Sequence, residues 1–381
     1  MAAAVAGMGS GPLDSADGRG RDALVERLTV EGVFRLTADG EPGSPVRAEA
    51  VVEALLLVAR LSPSIAQVVQ THYSALAAVE RYVHLDGRPV AGLPGGRYVQ
   101  MQSESAGATG SAVASTLRRT PDGFRLDGAK DYVTGIEWAQ WLNTGAWYEG
   151  RKVQVILPRS APGVSVTPTW AAFGQRDTES NRVDLRDVPV DPDRVYVPDG
   201  VPPSPVTKLG HAAIDIGIGE AALHAFRHFL LRQARVRNDA AASGIRATRQ
   251  DPYLRRQFGY WAVELAALRA RLFELAAAIG GGTSSAPLAG PALPSPSAPP
   301  DQGADPAVRI RAFAAYAGET AVRLTSDLFS NAGGRAAGLD RGLDAFWRDA
   351  RVHTLLNPRD WGLAELGGAL LDEEDRDDRD D

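Results

Sequence analysis

The feature that most constrains the fold of this 381-residue chain is its hydrophobic period, which changes twice along the sequence. Residues 22–96 carry apolar side chains at helical spacing, residues 98–188 alternate apolar and polar side chains as strands do, and helical spacing returns after about residue 206. We therefore predict an α+β multidomain protein. Its units are an N-terminal helical domain at 22–97, a middle antiparallel β domain at 98–200, and a C-terminal four-helix-type bundle at 206–370.

The middle unit is predicted to contain several short strands, because alternating segments are separated by turn residues such as Asp122-Gly123 and Pro162-Gly163. The predicted strands are 98–103, 113–117, 124–133, 142–147, 153–157, 164–169 and 182–188.

The bundle is predicted from three apolar stripes, which begin near Ile214, Trp261 and Ile310. Between the second and third stripes, residues 280–306 contain seven prolines and many small residues. Such a segment buries too little apolar surface to order itself, so we predict a flexible insertion. Residues 1–21 are predicted to be a disordered tail and residues 371–381 an acidic tail.

Composition excludes several classes of protein. The last ten residues hold eight acids and two arginines, so this tail accounts for the whole net charge of -6 and leaves a neutral body with no electrostatic basis for binding nucleic acid. The chain has no cysteine, which removes disulfides and thiolate metal sites. No apolar run approaches the roughly 20 residues of a membrane span, and the N-terminus has no signal-peptide core, so we expect a cytoplasmic protein.

Residues 123–135 are the most informative local stretch. The turn at Asp122-Gly123 predicts a β-hairpin, and a two-residue repeat would then place Lys130, Tyr132 and Thr134 on one side of the second strand. That side is interpreted either as ordinary sheet or as the wall of a ligand site.

Three stretches resemble the acyl-CoA dehydrogenase superfamily: residues 123–135, residues 173–190, and Arg348-Asp349-Ala350-Arg351. The resemblance covers residues from about 30 to 365. It implies an order of helices, β domain and helices, with a flavin held between the β domain and the bundle.

The resemblance also implies the residues that contact the flavin. The flavin loop corresponds to residues 102–111, with Ser103, Ser105, Thr109 and Ser111 as donors, although Ser105 replaces a usual proline. Tyr132 and Thr134 would pack on the isoalloxazine, with the Thr134 hydroxyl at its N5 side. Arg235 or Arg237, expected late in the first bundle helix, would bind the flavin phosphate across a subunit interface.

One departure separates this chain from dehydrogenases of the common type. Their catalytic glutamate lies nine residues beyond the arginine of the third motif, where this chain has Asn357, whose amide cannot act as a base. Residues 346–358 instead resemble the flavin monooxygenases related to dibenzothiophene monooxygenase and the amino-sugar nitrososynthases. Those proteins match this chain at His353 and at His72, whereas Leu356 stands where a second C-terminal histidine is usual.

The resemblance thus implies a two-component monooxygenase. A separate flavin reductase would supply reduced FMN or FAD, O2 would form a C4a-hydroperoxide, and one oxygen would pass to a carbon, nitrogen or sulfur of a small organic substrate. His72, His353 and Thr134 would be catalytic, Leu356 and Asn357 would bind substrate, no metal is expected, and a homotetramer is implied. The alternatives are a dehydrogenase that uses a displaced base, Glu220, and a non-catalytic binding subunit.

Overall fold

The computed structural model describes residues 19–105, 114–200, 204–280, 301, 304–356 and 359–372. Three predicted site residues, Thr109, Ser111 and Asn357, lie outside these ranges. So do most of the predicted insertion, residues 1–18 and residues 373–381.

The N-terminal unit is built from helices α1 (Arg19–Val30), α2 (Ala48–Ala59) and α3 (Pro63–Val79). Helix α3 begins in a favourable way, because the Ser62 hydroxyl accepts a hydrogen bond from the Ile65 N–H at 3.3 Å and proline takes the first position. Nearly all of α3 is buried. The unit is less purely helical than predicted, since strand β1 (Tyr82–His84) follows α3 and joins the sheet.

The middle unit is one sheet, in which the seven predicted strands are present with ends shifted by a few residues. After β1 its strands are β2 (Tyr98–Met101), β3 (Thr116–Thr120), β4 (Gly123–Val133), β5 (Trp141–Tyr148), β6 (Arg151–Pro158), β7 (Val164–Thr167), β8 (Asn181–Val190) and β9 (Val195–Pro198). Their order is β1-β9-β6-β5-β3-β4-β8-β7, with β2 beside β5. The prediction missed β1 and β9, which are too short to show an alternating pattern.

The sequence had predicted an antiparallel sheet, but the sheet also contains parallel strand pairs. Strand β2 runs parallel to β5, and β3 also meets β5 in parallel through Thr116 and Trp147. The predicted β3–β4 hairpin is confirmed, with Thr120 paired to Gly123 across a two-residue turn.

The bundle contains α4 (Val206–Arg232), the short α5 (Asn238–Ala242), α6 (Pro252–Gly280), α7 (Pro306–Asp327), α8 (Asp344–His353) and α9 (Arg359–Asp372). Helix α4 is central, packing against α2, α3, α6 and α7. Gly217 allows its close approach to α2, because a Cβ there would lie 2.7 Å from the Leu56 carbonyl oxygen. Helix α7 ends at Asp327, six residues before the pair Gly333-Gly334. Among the helices of the described ranges, none is both long enough and apolar enough to cross a membrane.

The bundle is joined to the β domain by the second and third sequence motifs. The Arg348 guanidinium donates to the Phe173 carbonyl oxygen at 2.7 Å, and the Gln175 N–H donates to the Asp349 carboxylate at 2.5 Å. The contact is so close that a Cβ on Gly174 would lie 2.1 Å from the Arg348 carbonyl oxygen. These two motifs therefore form a joint between domains.

Candidate active site

The three units meet around helix α3. Its Ser64 hydroxyl accepts a hydrogen bond from the Asp177 N–H of the β domain at 3.3 Å. The chain just after β4 also lies directly on α3, since a Cβ on Gly135, where φ is 78°, would lie 2.9 Å from Val68 Cγ1. On the bundle side, the Gln70 amide of α3 donates to the Thr207 carbonyl oxygen of α4 at 3.3 Å. Groups from all three units are thus gathered within one or two turns of α3.

A buried row of polar side chains crosses this junction on the bundle side. His353 Nδ1 lies 2.7 Å from Asp215 Oδ1, and His353 Nε2 lies 3.2 Å from His211 Nδ1. His211 Nε2 in turn lies 3.3 Å from the Gln70 amide nitrogen, and the Gln67 Oε1 atom lies 3.1 Å from His353 Nε2. We call these five side chains the histidine cluster.

Helical geometry explains why the histidine cluster forms. His211 and Asp215 are four residues apart on α4, and Gln67 and Gln70 are three apart on α3, so each pair shares a helix face. His353 is the last residue of α8 and is completely buried, and its ring reaches both faces.

The protons of the cluster can be assigned from its fixed members. The Gln70 amide nitrogen donates to a backbone carbonyl and to His211 Nε2, so neutral His211 carries its proton on Nδ1. That proton points to His353 Nε2, which leaves the His353 proton on Nδ1, facing the Asp215 carboxylate. Burial, and next the neighbouring His353, hold the pKa of His211 well below its usual range.

The Nε2 atom of neutral His353 is the ring nitrogen that can take up a second proton, and that proton would replace the hydrogen bond from His211 Nδ1. When its Nε2 is protonated, the Gln67 oxygen is in position to accept, and the Asp215 carboxylate stabilises the imidazolium. Such an arrangement is typical of a general acid–base catalyst that is buried away from bulk water.

Thr134 lies on the β-domain side of the junction, one residue before the Gly135 contact with α3. Its hydroxyl is 2.9 Å from the Ser180 hydroxyl, which is 2.7 Å from the Thr178 hydroxyl. Thr134 is half-buried, whereas Ser180 and Thr178 are buried. We call these three side chains the hydroxyl chain.

The prediction that Lys130, Tyr132 and Thr134 share one side of a strand is wrong. The pairing of β4 with β8 shifts between Lys130 and Val133, and Tyr132 has a φ of 57°. This bulge breaks the two-residue repeat. It buries Lys130 completely and leaves Tyr132 65% exposed, edge-on to Trp170 with ring centroids 6.3 Å apart.

Lys130 instead forms a buried ion pair below the predicted flavin loop. Its ammonium donates to the Glu104 carboxylate and, at 2.8 Å, to the Gly145 carbonyl oxygen. Burial acts to raise the pKa of Glu104, but the hydrogen bonds from Lys130, Ala114 and Ser115 outweigh it and lower that pKa. Glu104 is therefore a structural anion that anchors the loop.

The described part of the loop holds Ser103 and Ser105, both exposed. The Ser105 hydroxyl donates to the Asp131 carboxylate at 2.5 Å, and the Ser103 carbonyl oxygen accepts from the Asp131 N–H at 3.0 Å. Strand β4 thus fixes the start of the loop, and the Ser105 hydroxyl proton is already engaged.

His72 does not join His353, although the resemblance implied that both would reach the flavin. Its Nδ1 accepts from the Tyr98 N–H at 3.0 Å, and its Nε2 lies 3.1 Å from the Phe34 carbonyl oxygen. Burial lowers the pKa of His72 to about 3. With both nitrogens bound to backbone, His72 links α3 to β2; the histidine beside His353 is His211.

Arg235 and Arg237 lie beyond the far end of α4, whereas Leu356 follows His353 by three residues. Helix α4 ends at Arg232, so Arg235 and Arg237 follow the first bundle helix and are not part of it. Arg235 is exposed, and Arg237 donates to Asn331 at 2.8 Å and pairs with Asp239 at 2.7 Å. Leu356 is half exposed in a short 3-10 turn at Thr354–Leu356.

Glu220, the predicted displaced base, faces away from the histidine cluster. It is five residues beyond Asp215, which turns it about 140° around α4. Its carboxylate pairs with Arg60 and Arg269 beside a cavity of about 1180 Å³ between α4 and α6. The acid that α4 brings to the junction is Asp215.

Sequence reasoning missed the partners that give His353 its setting: Asp215, His211, Gln67 and Gln70. One signal was available, since His211 and Asp215 have i, i+4 spacing within residues 209–219, which are otherwise apolar or glycine. Ser180 and Thr178 gave no such signal.

Comparison with protein-family models matches residues 296–358 to the acyl-CoA dehydrogenase C-terminal domain. Among curated proteins, dibenzothiophene monooxygenase of Rhodococcus erythropolis is 28% identical over 67% of this chain and 63% of its own length, so the chain spans less than two thirds of that relative. A probable FMNH2-dependent monooxygenase, SfnC of Pseudomonas putida, is 25% identical over 93% of this chain and 88% of its own.

The fold is also found among solved structures. FMN-bound TdsC of Paenibacillus sp. A11-2 superposes with a TM-score of 0.80 at 25% identity, covering 94% of this chain and 93% of that one. The order of helical unit, sheet and bundle is therefore shared along nearly the whole chain.

Proposed function

We propose that this chain, a member of the acyl-CoA dehydrogenase superfamily and of its flavin-dependent monooxygenase branch, uses reduced flavin and O2 to place one oxygen atom on a small organic substrate. The observation that carries the proposal is the histidine cluster. It would supply a buried acid–base, His353, on the bundle side of the junction of the three units.

The residues at the junction fit a flavin. Tyr132 offers an exposed ring, and the half-buried Thr134 offers a hydroxyl beside it. Ser103, Ser105, Thr109 and Ser111 of the loop would hold the ring edge, and Arg235 or Arg237 of a second subunit would bind the phosphate across the subunit interface. When bound, reduced FMN or FAD supplies the two electrons that let one atom of O2 enter the substrate while the other leaves as water.

His353 would hold or deliver the proton that balances this transfer. Asp215 orients its ring and stabilises its charged form, and His211 and Gln67 fix the position of Nε2. Complete burial of the ring keeps bulk water from exchanging that proton. We assign His72 a positioning role, since it fixes α3 to β2 through backbone atoms.

The substrate would be a small organic molecule oxidised at sulfur, nitrogen or an aromatic carbon. Relatives named for dibenzothiophene favour sulfur as the first choice. Leu356, in the 3-10 turn that follows α8, and Asn357 would contact this substrate. A separate flavin reductase and a homotetramer, which rest on the resemblance, and a cytoplasmic location complete the proposal.

The dehydrogenase alternative has less support. Glu220 is held by two arginines away from the junction, and the Asp215 carboxylate is buried and bound to His353. A carboxylate held in either way cannot collect a proton from an acyl chain without first breaking its ion pair.

The proposal is tested with the full chain, photoreduced FMN and ¹⁸O2, using dibenzothiophene as the first substrate and an amine and a phenol as others. Mass spectrometry of the product should show one ¹⁸O atom per molecule. Flavin oxidation that yields only hydrogen peroxide with every substrate would count against a monooxygenase, and bleaching of bound flavin by an acyl-CoA would establish the dehydrogenase.

His353→Gln should lower the rate of oxygen transfer by roughly 10² or more, because general acid–base catalysis typically contributes that much. The matched control is His224→Gln on the exposed side of α4, which should retain the wild-type rate. Equal rates in both variants would exclude His353 from the reaction.

A further inference from the structure

The hydroxyl chain ends at an atom that cannot change its hydrogen-bonding role. The Thr178 hydroxyl lies 2.9 Å from the backbone carbonyl oxygen of Gln175. A carbonyl oxygen only accepts hydrogen bonds, so Thr178 must donate its one hydroxyl proton there. The Gln175 carbonyl is held in place because it also accepts from the Trp170 indole at 2.8 Å, while the Gln175 N–H binds Asp349.

This anchor fixes the direction in which each hydroxyl of the hydroxyl chain donates its proton. With its own proton committed, Thr178 can only accept from Ser180, at 2.7 Å. Ser180 then has no proton left and accepts from Thr134, at 2.9 Å. Within the described residues, Ser180 has no other side-chain partner for its hydroxyl. The Thr134 proton therefore points into the protein, and the oxygen offers only lone pairs to a ligand.

The direction of the Thr134 proton matters because flavin N5 changes its hydrogen-bonding role with the redox state. The N5 atom of an oxidised flavin is a hydrogen-bond acceptor, whereas N5 of a reduced flavin carries a proton and is a donor. An oxygen that offers only lone pairs can bind the reduced form but repels the oxidised one.

We propose that the Thr134–Ser180–Thr178–Gln175 chain makes the site select the reduced flavin over the oxidised flavin. The inference rests on the proposed function, in that it takes the Thr134 hydroxyl to meet N5. Such selection would let the protein take up reduced flavin from solution and release the flavin once it is oxidised.

The test uses Thr178→Val in the full-length protein, because valine keeps the shape of threonine and removes the acceptor for Ser180. Ser180 would then donate to Thr134, and the Thr134 proton would turn towards the ligand. We expect the affinity for oxidised FMN to rise, lowering the ratio of oxidised to reduced Kd by roughly tenfold. The midpoint potential of bound FMN should fall by about 30 mV, the equivalent of tenfold for two electrons.

Thr325→Val is the matched control, since Thr325 is also buried but donates to the Ala321 carbonyl oxygen within α7. Its Kd ratio should equal that of the wild type. Ser180→Ala provides a second variant in case Thr178→Val does not fold, and it should shift the ratio in the same direction. Thr134→Val should also reduce the ratio, because it removes both the lone pairs that bind reduced FMN and their repulsion of oxidised FMN.

Affinities are measured by fluorescence quenching for oxidised FMN and by anaerobic titration for photoreduced FMN, so turnover is not needed. A wild-type protein that binds both forms equally, or a Thr178→Val protein that keeps the wild-type ratio, overturns this inference alone. A wild-type protein that binds neither form overturns the proposed function as well.

Discussion

His72 and His353 are both completely buried histidines, yet their ring nitrogens meet different kinds of partner. The ring nitrogens of His72 contact a backbone N–H and a backbone carbonyl, and neither of these backbone groups is ionisable. His353 meets a carboxylate, a second imidazole and an amide oxygen, so its partners include ionisable side chains. The difference supports the positioning role proposed for His72 and the acid–base role proposed for His353.

The His72 environment predicts a pH-dependent stability. Because the pKa of His72 falls from its usual 6.5 to about 3 in the folded state, the neutral ring favours folding. This contribution is complete above pH 6.5 and is lost as the pH falls towards 3, at about 1.4 kcal/mol per pH unit. We expect His72→Gln to flatten the dependence of the free energy of unfolding on pH, measured by urea titration between pH 4 and 7.

The control for that experiment is His224→Gln, which changes an exposed histidine. Its pH dependence should match the wild type. A His72→Gln protein with an unchanged slope would mean that the ring is not neutral in the fold.

At the scale of elements, strand β4 shows how one extra residue redistributes side chains. Its bulge sends Lys130 into the sheet and Tyr132 out of it. The alternating pattern of 123–135 contains no mark of this bulge, because the local sequence fits a regular strand equally well. The hairpin itself was predictable, since its turn residues act locally.

The buried Lys130–Glu104 pair predicts a large effect of removing one partner. Lys130→Met leaves the Glu104 carboxylate buried without its cation, which should cost about 3–5 kcal/mol of stability. Adding Glu104→Gln to the same protein should recover part of the loss, because no charge then remains buried. Thermal and urea unfolding measure both.

An exposed ion pair gives the comparison. Arg88→Met removes the partner of Asp86 at the surface, and stability should hardly change. A Lys130→Met protein as stable as Arg88→Met would show that Glu104 finds another partner or takes up a proton.

The helices were predictable from their period, whereas the histidine cluster was not. Apolar stripes in α4, α6 and α7 reveal which face of each helix is buried, but not which helices become neighbours. The cluster needs α3, α4 and α8 at one point, and its members are separated by up to 286 positions along the chain, from Gln67 to His353. His353 was identified because its motif resembles a known family, and its partners required the structure.

For the whole molecule, the joint at Gly174 predicts how the bundle and the β domain hold together. A methyl group there would meet the Arg348 carbonyl oxygen, so Gly174→Ala should push α8 off the β domain and lower stability by about 2–3 kcal/mol. Calorimetry should show an unfolding transition that is broader than that of the wild type and has a lower midpoint temperature.

Gly259→Ala is a matched substitution in helix α6, where a Cβ has nothing within 4 Å. Alanine favours the helix, so this variant should gain about 0.5–1 kcal/mol. A Gly174→Ala protein that also gains stability would show that the joint is loose.

The Gln175 carbonyl at this joint belongs to the backbone, and every amino acid has one. No single substitution at position 175 can delete the acceptor on which the hydroxyl chain ends. A lineage of such proteins can therefore vary the side chain at 175 and still inherit the direction of three protons, as long as positions 134, 178 and 180 keep their hydroxyls. The proposed preference for reduced flavin would be lost if one of those three positions lost its hydroxyl, or if α8 separated from the β domain at the joint.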